Sequence, residues 1–234
     1  MAQIYIPARF NGPPGTGNGG YVAGLIAAHM RQAGVSGAVE VSLRAPPPLE
    51  TALELVVAGE GCECRHGEAV VVTARAAGPL GPVPAAPSLE VAAQGRAHFP
   101  PVEDHAFPGC FVCGPARTQD GLCIFTGKPH GFDGVTDVWT PGGDYADDAG
   151  LVREEVLWAA LDCPGAFAVG FRERPMVLGR IKGQVARRPE AGAPLIVAAW
   201  HLYDDGRKHG AASALFTADG DLLAQTEQLW IELK

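Results

Sequence analysis

Positively charged residues are scarce in this sequence. The 234 residues include 18 Lys and Arg against 26 Asp and Glu, which gives a formal net charge of −8. We therefore expect no nucleic-acid partner and no binding to an anionic membrane through a basic surface. No apolar run approaches the ~20 residues that a membrane-spanning helix needs. The N-terminus also lacks a basic region followed by an apolar one, so we expect no secretory signal and a cytoplasmic location.

A complete phosphate-binding loop is missing from the glycine-rich stretch at residues 10–29, FNGPPGTGNGGYVAGLIAAH. Two of its glycines have the required spacing, but Asn18 and Gly19 stand where the Lys and the hydroxyl residue belong. Gly19 and Gly20 precede an apolar stretch, so we predict a helix over 19–32 whose first N–H groups can face a partial negative charge. A flexible turn that merely leads into the helix is the alternative.

Cysteines are present but show no complete ligand set. Six cysteines in a chain of this length do not form a disulfide scaffold. Cys110 and Cys113 have C-x-x-C spacing, but Cys62 and Cys64 are separated by one residue, and the His residues have no ligand spacing. We predict no metal site and packed thiols in a turn, with a zinc site and a redox dithiol as alternatives. No G-x-S-x-G turn supports a serine hydrolase.

A weak internal repeat organises the chain. Each half has a predicted helix, at 19–32 and from about 152 to 169, followed by strands rich in Val, Leu, Ala and Thr. The predicted strands are 38–43, 52–59, 68–77 and 88–99 in the first half, and 122–125, 134–140, 176–186, 195–203, 211–217 and 222–233 in the second. This order predicts two α+β units, an N-terminal domain at 1–104 and a C-terminal domain at 105–234.

The first predicted helix is apolar almost all round, which is typical of a buried helix. A curved antiparallel sheet wrapped round such a helix would bury it. The fold class predicted is therefore α+β, a double hotdog with two antiparallel sheets, each wrapped round a central helix. A single mixed α+β domain of another topology is the alternative.

Four stretches resemble one known family in their order and spacing. They are GNGGYVAGLIAA, VEVSLRAPPPLETALELVV, CRHGEAVVVTARA and, most closely, ALFTADGDLLAQTEQLWIEL. These stretches are similar to the helix opening, the strand with its Pro-rich turn, the hairpin and the last strands of type II acyl-CoA thioesterases, which have the double-hotdog fold. The resemblance covers most of the chain. It implies hydrolysis of acyl-CoA thioesters by activated water, without a covalent acyl-enzyme.

The resemblance also implies particular site residues. The catalytic Asp of the family, in an A-S-D context, corresponds to Asp162 in ALD, and its Gln corresponds to Gln228 in AQTEQ. Its Thr has no counterpart, because Gly179 occupies that region. This departure favours, as an alternative, a non-catalytic protein that binds acyl-CoA or fatty-acyl groups. A hydratase would need an Asp/His pair that the sequence does not offer.

The chemistry of these residues leaves alternatives open. Asp162 either caps a segment starting at Pro164, or is a general base whose pKa is raised by its apolar surroundings. Gln228 lies on the apolar face of a strand, where it either orients a water or satisfies a backbone group. Asn18, with the N–H groups of Gly19 and Gly20, would polarise the thioester carbonyl. We expect no cofactor apart from the CoA of the substrate, and open sheet edges make a homodimer plausible.

Overall fold

The regular structure consists of three α-helices and ten β-strands within the residues described by a computed structural model, namely 2–59, 61–117 and 120–234. In chain order they are β1 (Ala2–Tyr5), α1 (Gly19–Gln32), β2 (Ala38–Leu43), β3 (Ala52–Ala58), β4 (Gly61–His66), β5 (Ala69–Ala77), α2 (Leu89–Gln94), β6 (Val135–Trp139), α3 (Glu154–Ala168), β7 (Met176–Val185), β8 (Leu195–Asp205), β9 (Lys208–Thr217) and β10 (Leu222–Glu232). None of the helices in these ranges is both long and apolar enough to cross a membrane.

The strands form one antiparallel sheet in the order β1-β3-β4-β5-β2-β7-β10-β9-β8-β6. The prediction of two separate sheets is corrected by the pairing of β2 with β7, in which Val39 lies opposite Gly183 and Ser42 opposite Arg180. This pairing supplies hydrogen-bond partners to two strands that would otherwise be sheet edges. All first-half strands lie on one side of this junction and all second-half strands on the other. The domain boundary between 104 and 105 stays a prediction.

The two long helices pack directly against each other, and α3 also contacts β7 to β10. Close approach is possible because α1 carries glycines where it meets α3. A Cβ on Gly20 would lie 2.5 Å from Asp162 Cβ and from Trp158 O, and one on Gly24 would lie 2.5 Å from Glu155 Cα. The glycines near the start of the chain therefore bring one helix onto the other.

Helix α1 has the predicted bounds and begins with a side-chain cap. Asn18 Oδ1 accepts a hydrogen bond of 2.9 Å from the N–H of Tyr21, which satisfies one of the donors that a helix start leaves free. Nine of its residues are buried, as its apolar sequence predicts.

Helix α3 contains Pro164, a residue at which helices commonly end or kink. The helix continues to Ala168. A proline inside a helix loses one backbone hydrogen bond, and here eleven consecutive buried residues, Val156–Ala166, provide packing that offsets the loss. Asp162 therefore lies inside the helix, and the prediction that it caps a segment starting at Pro164 is wrong.

Most of the other predicted strands are confirmed to within three residues, but two are wrong and two were missed. Residues 88–99 contain α2, whose first turn is capped by Ser88 Oγ accepting from the Val91 N–H at 3.2 Å, followed by a 3-10 turn. Residues 122–125 form no strand, because the N–H groups of Leu122 and Ile124 bond to the carbonyls of Phe111 and Val112 instead. The missed strands are β1 and β4.

Candidate active site

An apolar cavity of about 290 Å³ opens where the start of α1 meets the middle of α3. The ends of β2, β7 and β10 and the Pro-rich turn after β2 complete its wall. The residues that line the cavity include Asn18, Gly19, Asp162, Ala166, Leu178 and Trp230. The cavity thus joins the beginning of the first half of the chain to the helix of the second half.

Asp162 is the acidic group in this wall, and only 2% of its surface is exposed. Its Oδ2 accepts two hydrogen bonds of 2.9 Å, from Asn18 Nδ2 and from the N–H of Gly20. Its Oδ1 is buried and has no protein partner among the described residues. The carboxylate thus has one oxygen held by α1 and one oxygen available to another group.

The pKa of Asp162 is raised to about 7, chiefly because burial disfavours the charged form. The hydrogen bonds from Gly20 and Asn18 act in the opposite direction, and the nearby Cys110 thiol raises the pKa a little further. A carboxylate with a pKa in this range can take up and return a proton near neutral pH.

The three residues predicted to polarise a carbonyl have different hydrogen bonds. Asn18 Nδ2 and the Gly20 N–H are directed to Asp162. Gly19 lines the cavity, and no acceptor for its N–H is found in the described part of the chain. A Cβ on Gly19 would lie 2.8 Å from the Leu178 side chain, so the residue at this position must be small. The second N–H of Asn18 Nδ2 faces Cys163 Sγ at 3.9 Å, so among the described residues Gly19 has the backbone donor that is left for a ligand.

Gln228 lies behind the cavity and joins α3 to the sheet. Its Nε2, which has two N–H donors, lies within hydrogen-bond distance of Leu161 O, of Ser213 Oγ at 3.0 Å and of Thr226 Oγ1 at 2.8 Å. Its Oε1 accepts from Trp230 Nε1 at 2.7 Å. It is buried, and no hydrogen bond joins it to Asp162. The structure thus shows the predicted backbone contact, and a shared water between Gln228 and Asp162 stays a prediction.

The region where the resembled family has a Thr is occupied by Gly179, which lines the cavity on β7. A Cβ there would lie 2.6 Å from the Ile231 side chain. Gly179 therefore brings no hydroxyl to this part of the cavity wall, and its correspondence to the Thr of the family stays a prediction.

A cluster of three thiols beside Asp162 was not predicted. Cys110, Cys113 and Cys163 are all buried and line the cavity, and their sulfur atoms lie within 4.8 Å of one another. Cys163 lies at least fifty residues from the other two in the sequence, so the C-x-x-C spacing indicated only part of the cluster. The position of Cys163 directly after a candidate catalytic acid was a second signal, which the sequence prediction did not use.

The comparison with solved structures shows the fold. A tesB protein from Mycobacterium avium subspecies paratuberculosis matches with a TM-score of 0.62 and 13% identity, over 99% of this chain and 92% of that one. An acyl-CoA thioesterase II, TesB2, from Mycobacterium marinum matches with a TM-score of 0.55 and 11% identity, over 92% and 90%.

A conserved hot dog fold protein of unknown function from Alicyclobacillus acidocaldarius matches with a TM-score of 0.61 and 16% identity, over 99% of this chain and 92% of that one. No protein-family model matches the sequence, and no curated protein matches it either. The protein therefore has a hotdog fold, and the resemblance to acyl-CoA thioesterases II is confirmed at the level of the fold. The double-hotdog arrangement stays a prediction.

Proposed function

We propose that this protein is a double-hotdog hydrolase that cleaves acyl-CoA thioesters to a free acid and CoA. The observation that carries the proposal is the position of Asp162, a buried carboxylate with one unpartnered oxygen in the wall of an apolar cavity. The free N–H of Gly19 lines the same cavity at the positive end of α1. A base and an oxyanion donor thus face one space.

In the proposed reaction, Asp162 Oδ1 accepts a hydrogen bond from a water and takes its proton as the water attacks the thioester carbonyl carbon. The Gly19 N–H donates to the carbonyl oxygen as it becomes negative, an interaction worth about 10²–10³ in rate for one donor. The tetrahedral intermediate then expels the CoA thiolate, and the proton held by Asp162 passes to that sulfur. No bond forms between the enzyme and the acyl group.

The hydrogen bonds to Asp162 Oδ2 have a positioning role in this proposal. Asn18 and Gly20 hold one oxygen in place, so the other keeps a fixed direction relative to Gly19. We assign Gln228 a positioning role as well, because it bonds the backbone of Leu161, the residue before the base. The apolar walls formed by Ala166 and Leu178 suit an acyl chain. The cavity volume lies at the lower end of the range for small-molecule sites, which favours short acyl groups.

A binding protein without hydrolytic activity is the second candidate. Gly179 favours it, because it occupies the place where the family has a hydroxyl. In that case the Gly19 N–H would still donate a hydrogen bond to the carbonyl oxygen of a bound thioester, and Asp162 Oδ1 would accept one from a water.

Thiol release from a series of acyl-CoA esters, from acetyl to palmitoyl, separates the two candidates. We expect release of one CoA per acid formed, with higher kcat/KM for short chains than for long ones. Binding measured by calorimetry without release of thiol would contradict hydrolysis and favour the binding protein. Neither binding nor release from any ester in the series would refute both.

A further inference from the structure

We infer that Cys110, Cys113 and Cys163 form a binding site for one soft divalent cation, of the Zn²⁺ class, beside the proposed catalytic acid. This inference does not depend on thioester hydrolysis.

The sulfur positions match those of a metal site. With Zn–S bonds of about 2.3 Å, the edges of a tetrahedron of thiolates measure about 3.8 Å. Cys110 Sγ and Cys163 Sγ are 3.7 Å apart, and all three sulfur atoms lie within 4.8 Å of one another. Small movements of Cys113 or of its partners would bring three ligands to one ion.

The turn that carries the first two cysteines is built to hold them. The N–H of Gly114 bonds to Cys110 O at 2.9 Å, and a Cβ on Gly114 would lie 2.5 Å from Cys110 N and O. The intervening residues are fixed as well, because Phe111 and Val112 accept hydrogen bonds from the segment that follows. A tight C-x-x-C-G turn therefore presents both sulfur atoms toward α3.

One amide donor near the sulfur atoms would favour negative charge on Cys163. Asn18 Nδ2 lies 3.9 Å from Cys163 Sγ, at the positive end of α1. All three thiols are buried, and a divalent cation would displace their protons on binding.

The fourth ligand is a water on the cavity side. All three cysteines line the cavity, and Asp162 is not a member of the group of mutually close ligand atoms. Three protein ligands and an open position are typical of reactive rather than structural zinc sites. The water would also give Asp162 Oδ1, which has no partner in the described protein, a hydrogen bond to accept.

Cobalt binding tests the site without reference to activity. Fully reduced protein is titrated with Co²⁺, and the thiolate-to-cobalt charge-transfer band and the visible bands of a tetrahedral ion are recorded. We expect one Co²⁺ per chain, displaced by Zn²⁺, and a rise in Tm when Zn²⁺ is added. Absence of the charge-transfer band in reduced, folded protein would overturn the inference.

Cysteine variants assign the ligands. We expect Cys163→Ser to weaken cobalt affinity more than about 100-fold, because changes in the second sphere alone typically cost 10–100-fold. Cys62→Ser and Cys64→Ser are matched controls, since both residues are buried cysteines on β4 outside the cluster. Circular dichroism shows whether each variant folds. If Cys163→Ser does not fold, Cys110→Ala replaces it as the ligand variant. Equal affinity in the ligand variants and the controls would refute the site.

Discussion

Adding one methyl group at Gly20 tests the helix contact that positions the candidate base. In Gly20→Ala the new Cβ would lie 2.5 Å from Asp162 Cβ and from Trp158 O, whereas ordinary contact begins at 3.4 Å. The helices must therefore separate by roughly 1 Å, which stretches the 2.9 Å bond from the Gly20 N–H to Asp162 toward the limit of a hydrogen bond.

The expected cost combines three effects. Overpacking costs about 1–3 kcal/mol, and weakening a hydrogen bond to a charged group costs up to about 1.5–3 kcal/mol. The better helix propensity of Ala returns about 1 kcal/mol. We therefore expect the free energy of unfolding of Gly20→Ala to fall by about 2–4 kcal/mol, measured by urea denaturation at unchanged m value.

Gly24→Ala is the matched control for this prediction. Its new Cβ would lie equally close to α3, 2.5 Å from Glu155 Cα, but the Gly24 N–H does not bond to Asp162. We expect the free energy of unfolding of Gly24→Ala to fall by about 2 kcal/mol less than that of Gly20→Ala, because no bond to a charged group is stretched. In thiol release, the folded fraction of Gly20→Ala should lose far more activity than that of Gly24→Ala. Equal stability and equal activity of the two variants would refute the reasoning.

Three further variants test the ion pair between Arg96 and Asp137, the contact of Gln228 with α3, and the wall of the cavity. Arg96→Met removes the partly exposed cation that pairs with the buried Asp137 carboxylate. We expect the free energy of unfolding to fall by about 1.5–3 kcal/mol at pH 8, measured by urea denaturation, because hydrogen bonds to a charged group are lost, and by less at pH 5. Gln228→Met leaves Leu161 O without this donor. We expect the free energy of unfolding to fall by about 1–3 kcal/mol, and kcat of the folded fraction to fall by about 10–100-fold, the usual effect of losing a positioning group. Ala166→Phe fills the apolar wall, so KM should rise for hexanoyl-CoA more than for acetyl-CoA.

The sign of the pH effect follows from Asp137. Burial raises its pKa to about 6 despite the opposing effect of Arg96. Removing Arg96 raises this pKa further, so the folded variant binds a proton that the unfolded chain releases at lower pH. The penalty therefore exists only where the carboxylate is charged, and it falls as the pH decreases through the folded pKa. If Arg96→Met lost the same free energy of unfolding at pH 5 and at pH 8, this explanation would be contradicted. A loss of kcat beyond 100-fold in Gln228→Met would contradict the positioning role of Gln228. An unchanged ratio of the KM values for hexanoyl-CoA and acetyl-CoA in Ala166→Phe would contradict the role of Ala166 in the acyl-chain wall.

The sequence predicted the elements of the fold well where local patterns determine them. The bounds of α1 follow from the Asn18 cap and the apolar run, and β7 to β10 follow from their Val- and Leu-rich patterns. It failed where backbone pairing depends on distant residues. Residues 122–125 look like a strand but bond to the cysteine turn, and β2 pairs with β7 through contacts that no local pattern encodes.

The sequence offered the residues of the candidate site but not their arrangement. Asp162 and Gly19 line one cavity, and their catalytic roles stay predictions. The use of Asn18 and Gly20 was not foreseen, because their donors meet Asp162 only when α1 and α3 touch. The convergence of Cys163 on the C-x-x-C turn also depends on this packing, so its role was invisible in the spacing of the sequence.

Replacing the carboxylate of Asp162 by an amide tests the central claim most directly. Asp162→Asn keeps the size of the side chain and an oxygen that can accept from Asn18 and Gly20, so the fold should be retained. We expect kcat for acyl-CoA hydrolysis to fall about 10²–10⁴-fold, the usual contribution of a general base, with substrate binding nearly unchanged. Asp148→Asn, at an exposed aspartate, is the control and should have full activity. Undiminished thiol release by Asp162→Asn would contradict the account.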